Sequence, residues 1–162
     1  MKKIIVIGCP GSGKSTLSKQ LHLKTGLPLY HLDMMYWNAD KTRVERAVFL
    51  ERLTAALEED AWIIDGNYSS TMKPRMQKCD TVIFLDYPLD VCLAGIEARC
   101  GKERSDMPWT EPEQLDKEFI ESVKNFNLQS RPQLMALLEK YAYKNIYIFK
   151  SQNEANEFIN QI

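Results

Sequence analysis

Short apolar runs rich in β-branched residues recur at positions 3–7, 28–32, 62–64, 81–85 and 145–149. Each is of strand length, and stretches with helical spacing separate them. Val44, Ala47, Val48, Leu53 and Leu57 share one helical face, as do Leu89, Cys92, Leu93 and Ile96, and later Leu134, Leu137, Leu138 and Tyr141. Apolar stripes of this kind predict helices packed on a core. The last helix is announced by its start: Ser151 with Glu154 three residues on forms a capping box, and Ala155, Phe158, Ile159 and Ile162 follow at helical spacing. Strands that are apolar throughout are strands covered on both faces. The pattern therefore predicts an α/β fold with a parallel sheet between helical layers, and ligands at the carboxyl ends of the strands.

One stretch breaks the rhythm. Residues 101–112 carry Lys102, Glu103, Arg104, Asp106, two prolines and Trp109 between two helices, which is the composition of a mobile lid. With Arg99 the lid spans about 99–112. No repeat, low-complexity tract or linker divides the chain, so a single domain over 1–162 is expected.

Composition narrows this picture only by exclusion. At 44% hydrophobic and 27% charged residues the chain reads as globular, and no apolar run approaches the roughly 20 residues of a membrane span. A net charge of -1 and a pI near 6.2 provide no general pull toward nucleic acid or anionic lipid, so direct nucleic-acid binding and membrane association are not expected. Cys9, Cys79, Cys92 and Cys100 form no CxxC pair, with only His22 and His31 as further ligands; they read as free thiols of a cytoplasmic protein.

The strongest chemical signal follows the first strand. Gly8-Cys9-Pro10-Gly11-Ser12-Gly13-Lys14-Ser15 satisfies GxxxxGK[ST], and a helix over 14–25 follows it. Glycines let the backbone turn tightly and aim N–H groups at phosphate oxygens, and the helix N-terminus adds partial positive charge. Gly8, Pro10, Gly11, Ser12, Gly13, Lys14, Ser15 and the next residue, Thr16, are the expected ATP-binding set, with Lys14 on the β and γ phosphates and Ser15 on Mg2+. The strand-loop-helix context argues against a chance glycine-rich turn.

Magnesium also calls for an acid at a strand end. Asp65, Asp33 and Asp86 all stand at such places. Asp65 is favoured, because Gly66 lets a ligand approach the backbone; Asp86 precedes Pro88 and a new helix, so helix-start chemistry explains it as well. Asp33 is either a carboxylate that takes the proton of an acceptor hydroxyl or an ordinary turn residue ahead of Met34-Met35-Tyr36-Trp37. Phosphoryl transfer spreads negative charge that guanidinium groups stabilise. Arg99, Lys102 and Arg104 in the lid are placed for this, with a solvated charged loop as the plain reading. Arg75 and Arg131 are candidates for holding the acceptor or its phosphate, in a pocket formed by Tyr36, Trp37, Gly66 and Tyr68.

Taken together, Gly8 to Ser15, Leu32-Asp33, Asp65-Gly66-Asn67-Tyr68, Arg75, the run from Cys79 to Asp86, the Arg99 to Arg104 loop and Ser130-Arg131-Pro132 resemble the adenylate-kinase-related topology modulation proteins over nearly the whole chain. The resemblance implies a nucleoside-monophosphate-kinase-like P-loop fold, with a five-stranded parallel sheet in order 2-3-1-4-5, Arg99 and Arg104 in the lid, and the loop 150–153 bordering adenine. Asn67-Tyr68 stands where adenylate kinases carry Phe-Pro-Arg. At Asp33 the likeness is to the shikimate and gluconate kinases, whose acceptor is a hydroxyl compound. The expected activity is therefore transfer of the ATP γ-phosphoryl group to a small-molecule acceptor. A nucleoside monophosphate kinase is a further option in that class, and a nucleotide-dependent regulator acting on DNA topology or on a partner is the alternative outside it.

Overall fold

Burial explains the order of the strands. The computed structural model describes residues 1–114 and 116–162. β1 (Lys3–Gly8), β3 (Trp62–Asp65) and β4 (Thr81–Leu85) are buried almost throughout, whereas β2 (Leu29–His31) and β5 (Asn145–Phe149) are mainly half-buried. The three buried strands are the middle of the sheet and the two half-buried ones its edges: the order is β2-β3-β1-β4-β5, with every neighbouring pair parallel. This is the α/β architecture and the strand order expected. Ile4, Ile5, Val6 and Ile7 are all fully inaccessible, as a strand covered on both faces requires.

The helices are α1 (Lys14–Thr25), α2 (Leu32–Tyr36), α3 (Arg46–Glu58), α4 (Ser69–Lys78), α5 (Leu89–Glu97), α6 (Lys117–Lys124), α7 (Phe126–Lys140) and α8 (Gln152–Gln161). No helix among the described residues is long and apolar enough to cross a membrane. The start of α8 is capped as expected by Ser151, whose Oγ accepts from the Glu154 amide at 3.3 Å, while Glu154 Oε2 reaches back one residue further than a capping box requires and accepts from the Lys150 amide at 2.7 Å. In α3 the expected face holds at Leu53 and Leu57 and is corrected at its start. The buried residues are Phe49, Leu53, Ala56 and Leu57, while Ala47 is exposed and Val44 precedes the helix. Starting the stripe at Val44 carried the period past the true helix start, and the large Phe49 takes the core.

Every loop leaving a strand's carboxyl end opens on the same edge of the sheet, so the phosphate loop, Asp33, Asp65 and Asp86 converge there. Two glycines let the phosphate loop lie directly on α5. A Cβ at Gly11 (φ 84) would come within 2.0 Å of the Cys92 carbonyl oxygen, and one at Gly95 within 2.1 Å of the Gly11 oxygen. Helical glycine normally destabilises by about 1 kcal/mol relative to alanine. Here the exchange has the opposite sign: Gly95→Ala should lower stability by about 1–3 kcal/mol and weaken nucleotide binding, read as a lower urea midpoint and a higher Kd in a nucleotide titration.

Candidate active site

The phosphate loop runs from the end of β1 into α1. Ser12 N donates to Cys9 O at 3.1 Å, closing the turn, and Gly13 (φ 85) is the N-cap of α1 with no side-chain cap bond. Uncapped first-turn N–H groups at a helix N-terminus form an anion site. Pro10, Gly11, Gly13, Lys14, Ser15 and Thr16 border a cavity of about 880 Å³; Gly8 and Ser12 do not, and the Ser12 hydroxyl is buried without a partner among the described residues. Lys14 Nζ donates to the carbonyls of Gly8 and Cys9, each at 3.0 Å. Loss of water around it lowers the Lys14 pKa, against the opposing pull of Asp33, Asp65 and Cys9.

A residue outside the motif holds this loop in place. The Gly8 amide donates to Asn67 Oδ1 at 3.2 Å, and Asn67 Nδ2 donates to Gly8 O at 2.8 Å. The side-chain amide thus extends the ladder between β1 and β3 by one peptide equivalent. Val6 pairs with Asp65, so residue 67 falls beside residue 8. That register is the signal by which the sequence would have given up Asn67.

Asp65 borders the cavity, and its Oδ2 lies 2.8 Å from Nδ1 of His31, its partner across the β2–β3 pairing. Gly66 also borders the cavity, at φ 122. The space on its Cα is taken by Leu32, 3.0 Å from where a Cβ would stand, so packing as well as backbone conformation requires glycine here. Tyr68 follows with φ 27, a strained value for a side-chain-bearing residue, and its hydroxyl donates to Asp33 Oδ1 at 2.6 Å. Burial and the Asp33 charge keep that phenol protonated.

Arg75 does not border the cavity, contrary to the sequence expectation. It is fully buried and donates to the carbonyls of Gly66 (2.8 Å), Asn67 (2.5 Å), Tyr68 (3.2 Å) and Thr71 (3.3 Å). Burial pushes its pKa down to about 10. Its work is to fix the 66–68 loop. Arg131 is also displaced from the expected role: it forms a two-pronged pair with Asp86, Nε at 2.7 Å and Nη2 at 2.8 Å, and Lys150 donates to the same carboxylate. These bonds hold Asp86 below the ordinary carboxylate range, burial opposing them. Asp86 is thus engaged by two cations and does not border the cavity, whereas Asp65 borders it together with Ser15.

Asp33 opens α2 rather than sitting in a turn, and it borders the cavity with Trp37 and Tyr68. Burial raises its pKa; the Tyr68 hydrogen bond and the Lys14 charge oppose the rise. Across the cleft, Arg99 and Arg104 border the same cavity, while Lys102 is exposed outside it. Arg104 is ion-paired to Asp106 and Glu111, and Arg99 Nε lies 3.8 Å from Glu111. Asp106 is itself buried, with Lys19 Nζ at 3.8 Å. Burial works to raise the Asp106 pKa, yet hydrogen bonds from Arg104 and Ser15 hold it well below the usual range. The lid is therefore tied to the phosphate loop by its own charges, and Trp109 meets Trp37 edge-on at 5.7 Å.

The residues present suit a magnesium nucleotide. Ser15 and Asp65 share the cavity with uncapped N–H groups and Lys14, and no cluster of three or more His, Cys, Asp or Glu stands ready for a metal among the described residues. Magnesium keeps several waters and binds largely through substrate phosphates, so it needs no such cage.

No protein-family model matches the sequence, and no curated protein matches it. Among solved structures the chain is similar to the shikimate kinase from Bacteroides thetaiotaomicron, at 20% identity, with 98% of this chain and 94% of that chain covered and a TM-score of 0.59. Likeness at this identity carries the fold: a P-loop α/β architecture of the nucleoside-monophosphate-kinase type, with sheet order 2-3-1-4-5.

Proposed function

We propose that this protein is an ATP-dependent kinase that phosphorylates a hydroxyl group of a small molecule. The observation that carries the reading is one cavity bordered by the phosphate loop with Lys14 and by Asp33, a half-buried carboxylate whose pKa burial raises. A general base works best with a pKa moved toward the operating pH, and Tyr68 fixes its orientation. The first-turn amides of α1 and Lys14 bind the phosphates, and Ser15 with Asp65 would hold Mg2+, which would supply neutralisation of phosphate charge. The acceptor oxygen forms a bond to the γ-phosphorus as the bond to the ADP oxygen breaks, and the acceptor proton passes to Asp33. Arg99 and Arg104 stabilise charge on the transferring group once they exchange Asp106 and Glu111 for phosphate oxygens. The likeness of Asp65-Gly66-Asn67-Tyr68 and Ser130-Arg131-Pro132 to topology modulation proteins supports placing the chain with those adenylate-kinase-related proteins. The fold shared with a shikimate kinase supports the hydroxyl acceptor.

Coupled ADP release with magnesium ATP and a broad acceptor panel tests the reading. Lys14→Ala should abolish turnover, and ATP binding without turnover on any acceptor would remove the kinase assignment. Asp33→Asn should lower kcat by roughly 10²–10⁴-fold with the KM for ATP kept. Because a base acts in its ionised form, wild-type kcat/KM should fall as pH drops through the Asp33 pKa, at a pH above that of an ordinary carboxylate; Asp33→Asn should lose this limb.

The arginines should separate into two kinds. Arg104→Ala is expected to lower kcat by about 10²-fold or more in the protein that remains folded, and to cost stability above the Asp106 pKa because that buried carboxylate loses its ion partner. Arg75→Lys should lower stability by about 1–3 kcal/mol, measured by urea unfolding, and lower kcat of the folded protein less than Arg104→Ala does, because Arg75 acts only through the 66–68 loop.

A further inference from the structure

The acceptor half of the cavity is walled by aromatic rings. From the Asp33 partner Tyr68, ring contacts run to Tyr36 at 4.8 Å, on to Trp37 at 5.0 Å, and across the cleft to Trp109 of the lid at 5.7 Å. Tyr68 takes Oδ1 of Asp33, and Oδ2 has no protein donor among the described residues. The polar end of this wall is thus a single carboxylate, and the remainder offers ring faces.

Cations are distributed unequally. Lys14, Lys19, Arg99 and Arg104 border the cavity at the phosphate loop and lid, and Lys41 is the one basic side chain bordering it on the acceptor side among the described residues. Lys41 is exposed, with its ammonium 5.9 Å from the Trp109 ring. An exposed lysine favours an anion by no more than about fivefold. None of the arginines neighbouring this side borders the cavity: Arg75 is engaged on loop carbonyls, Arg52 on the Met35 carbonyl at 3.1 Å, and Arg43 lies over the rings of Trp37 and Tyr36. Recognition of a phosphate or carboxylate calls for a forked guanidinium or buried donors, and among the described residues none of these borders this half of the cavity.

We infer that the acceptor is an uncharged, ring-bearing hydroxyl compound, held by stacking on Trp37 and Trp109 with one hydroxyl directed to Asp33. This rests on the kinase reading. Either a flat base or the CH face of a sugar ring satisfies the stacking surfaces, and both present neutral hydroxyls. Trp37 and Trp109 come from opposite sides of the cleft, so a ring seated on both couples acceptor binding to lid closure and draws Arg99 and Arg104 toward the phosphate.

The test is ADP release with magnesium ATP on matched pairs, neutral nucleosides beside their 5′-monophosphates and neutral sugars beside their acids, using the full chain. The expected result is a neutral member preferred over its anionic mate by about tenfold or more in kcat/KM; whether nucleosides or sugars respond identifies the ring. Trp37→Ala and Trp109→Ala should each raise the acceptor KM by about fivefold or more while leaving the KM for ATP within about twofold. Lys41→Ala should leave the preference in place. Turnover of the anionic members equally or better, or an acceptor KM indifferent to both tryptophans, would overturn the inference and leave the kinase standing. Tight ATP binding with no ADP from any pair would overturn the kinase reading and the inference with it.

Discussion

A buried guanidinium facing only carbonyls organises this site. Removing a cation from water costs several kcal/mol even after relaxation, and Arg75 meets that cost with four backbone oxygens rather than a carboxylate. The consequence reaches outward. With the Gly66, Asn67 and Tyr68 carbonyls anchored, the loop holds Tyr68 at an unfavourable φ, which aims its hydroxyl at Asp33, and it sets the Asn67 amide against Gly8. The phosphate loop and the candidate base are thereby referenced to one rigid turn, though they leave different strands.

The strands and the phosphate loop were legible in the sequence because their causes are local. A β-branched run buried on both faces needs no partner to be recognised, and the glycine spacing of residues 8–15 is itself the cradle. Arginine destinations were not legible, since a guanidinium can pair with anything within its reach. Arg131 finds Asp86 across 45 positions and Lys150 finds it across 64, so the three form one cluster that no window of sequence contains. Arg75 was misread for a different reason. Its partners lie only four to nine positions away, but they are backbone oxygens, which leave no trace in residue identity. Asn67 and Gly95 were hidden likewise: each acts on the backbone of the phosphate loop, through strand register in one case and close helix approach in the other.

The lid shows how charge can serve opening and closing. Arg104 is matched by Asp106 and Glu111, and Asp106 also meets Lys19 and Ser15. Those contacts place a carboxylate beside the residue expected to ligate magnesium, where phosphate charge would otherwise stand. A phosphate arriving there repels Asp106 and attracts Arg104, so the same event breaks the lid's internal pair and supplies the arginine with its new partner. The exchange substitutes one anion for another, and the guanidinium need not be left unpaired in the half-buried cleft.

That substitution also accounts for the division of the cavity into a charged half and an aromatic half. On the proposed reading the lid arginines are paired with the lid acids before nucleotide binding and with phosphate afterwards. On the proposed acceptor side no acid and base pair borders the cavity among the described residues, and an added buried cation would face Asp33 directly. Pairing with such a cation would lower the Asp33 pKa and weaken it as a base. Keeping that half aromatic preserves the desolvation that raises the carboxylate's pKa. Neutral ring recognition and base strength are then two results of the same low-polarity wall.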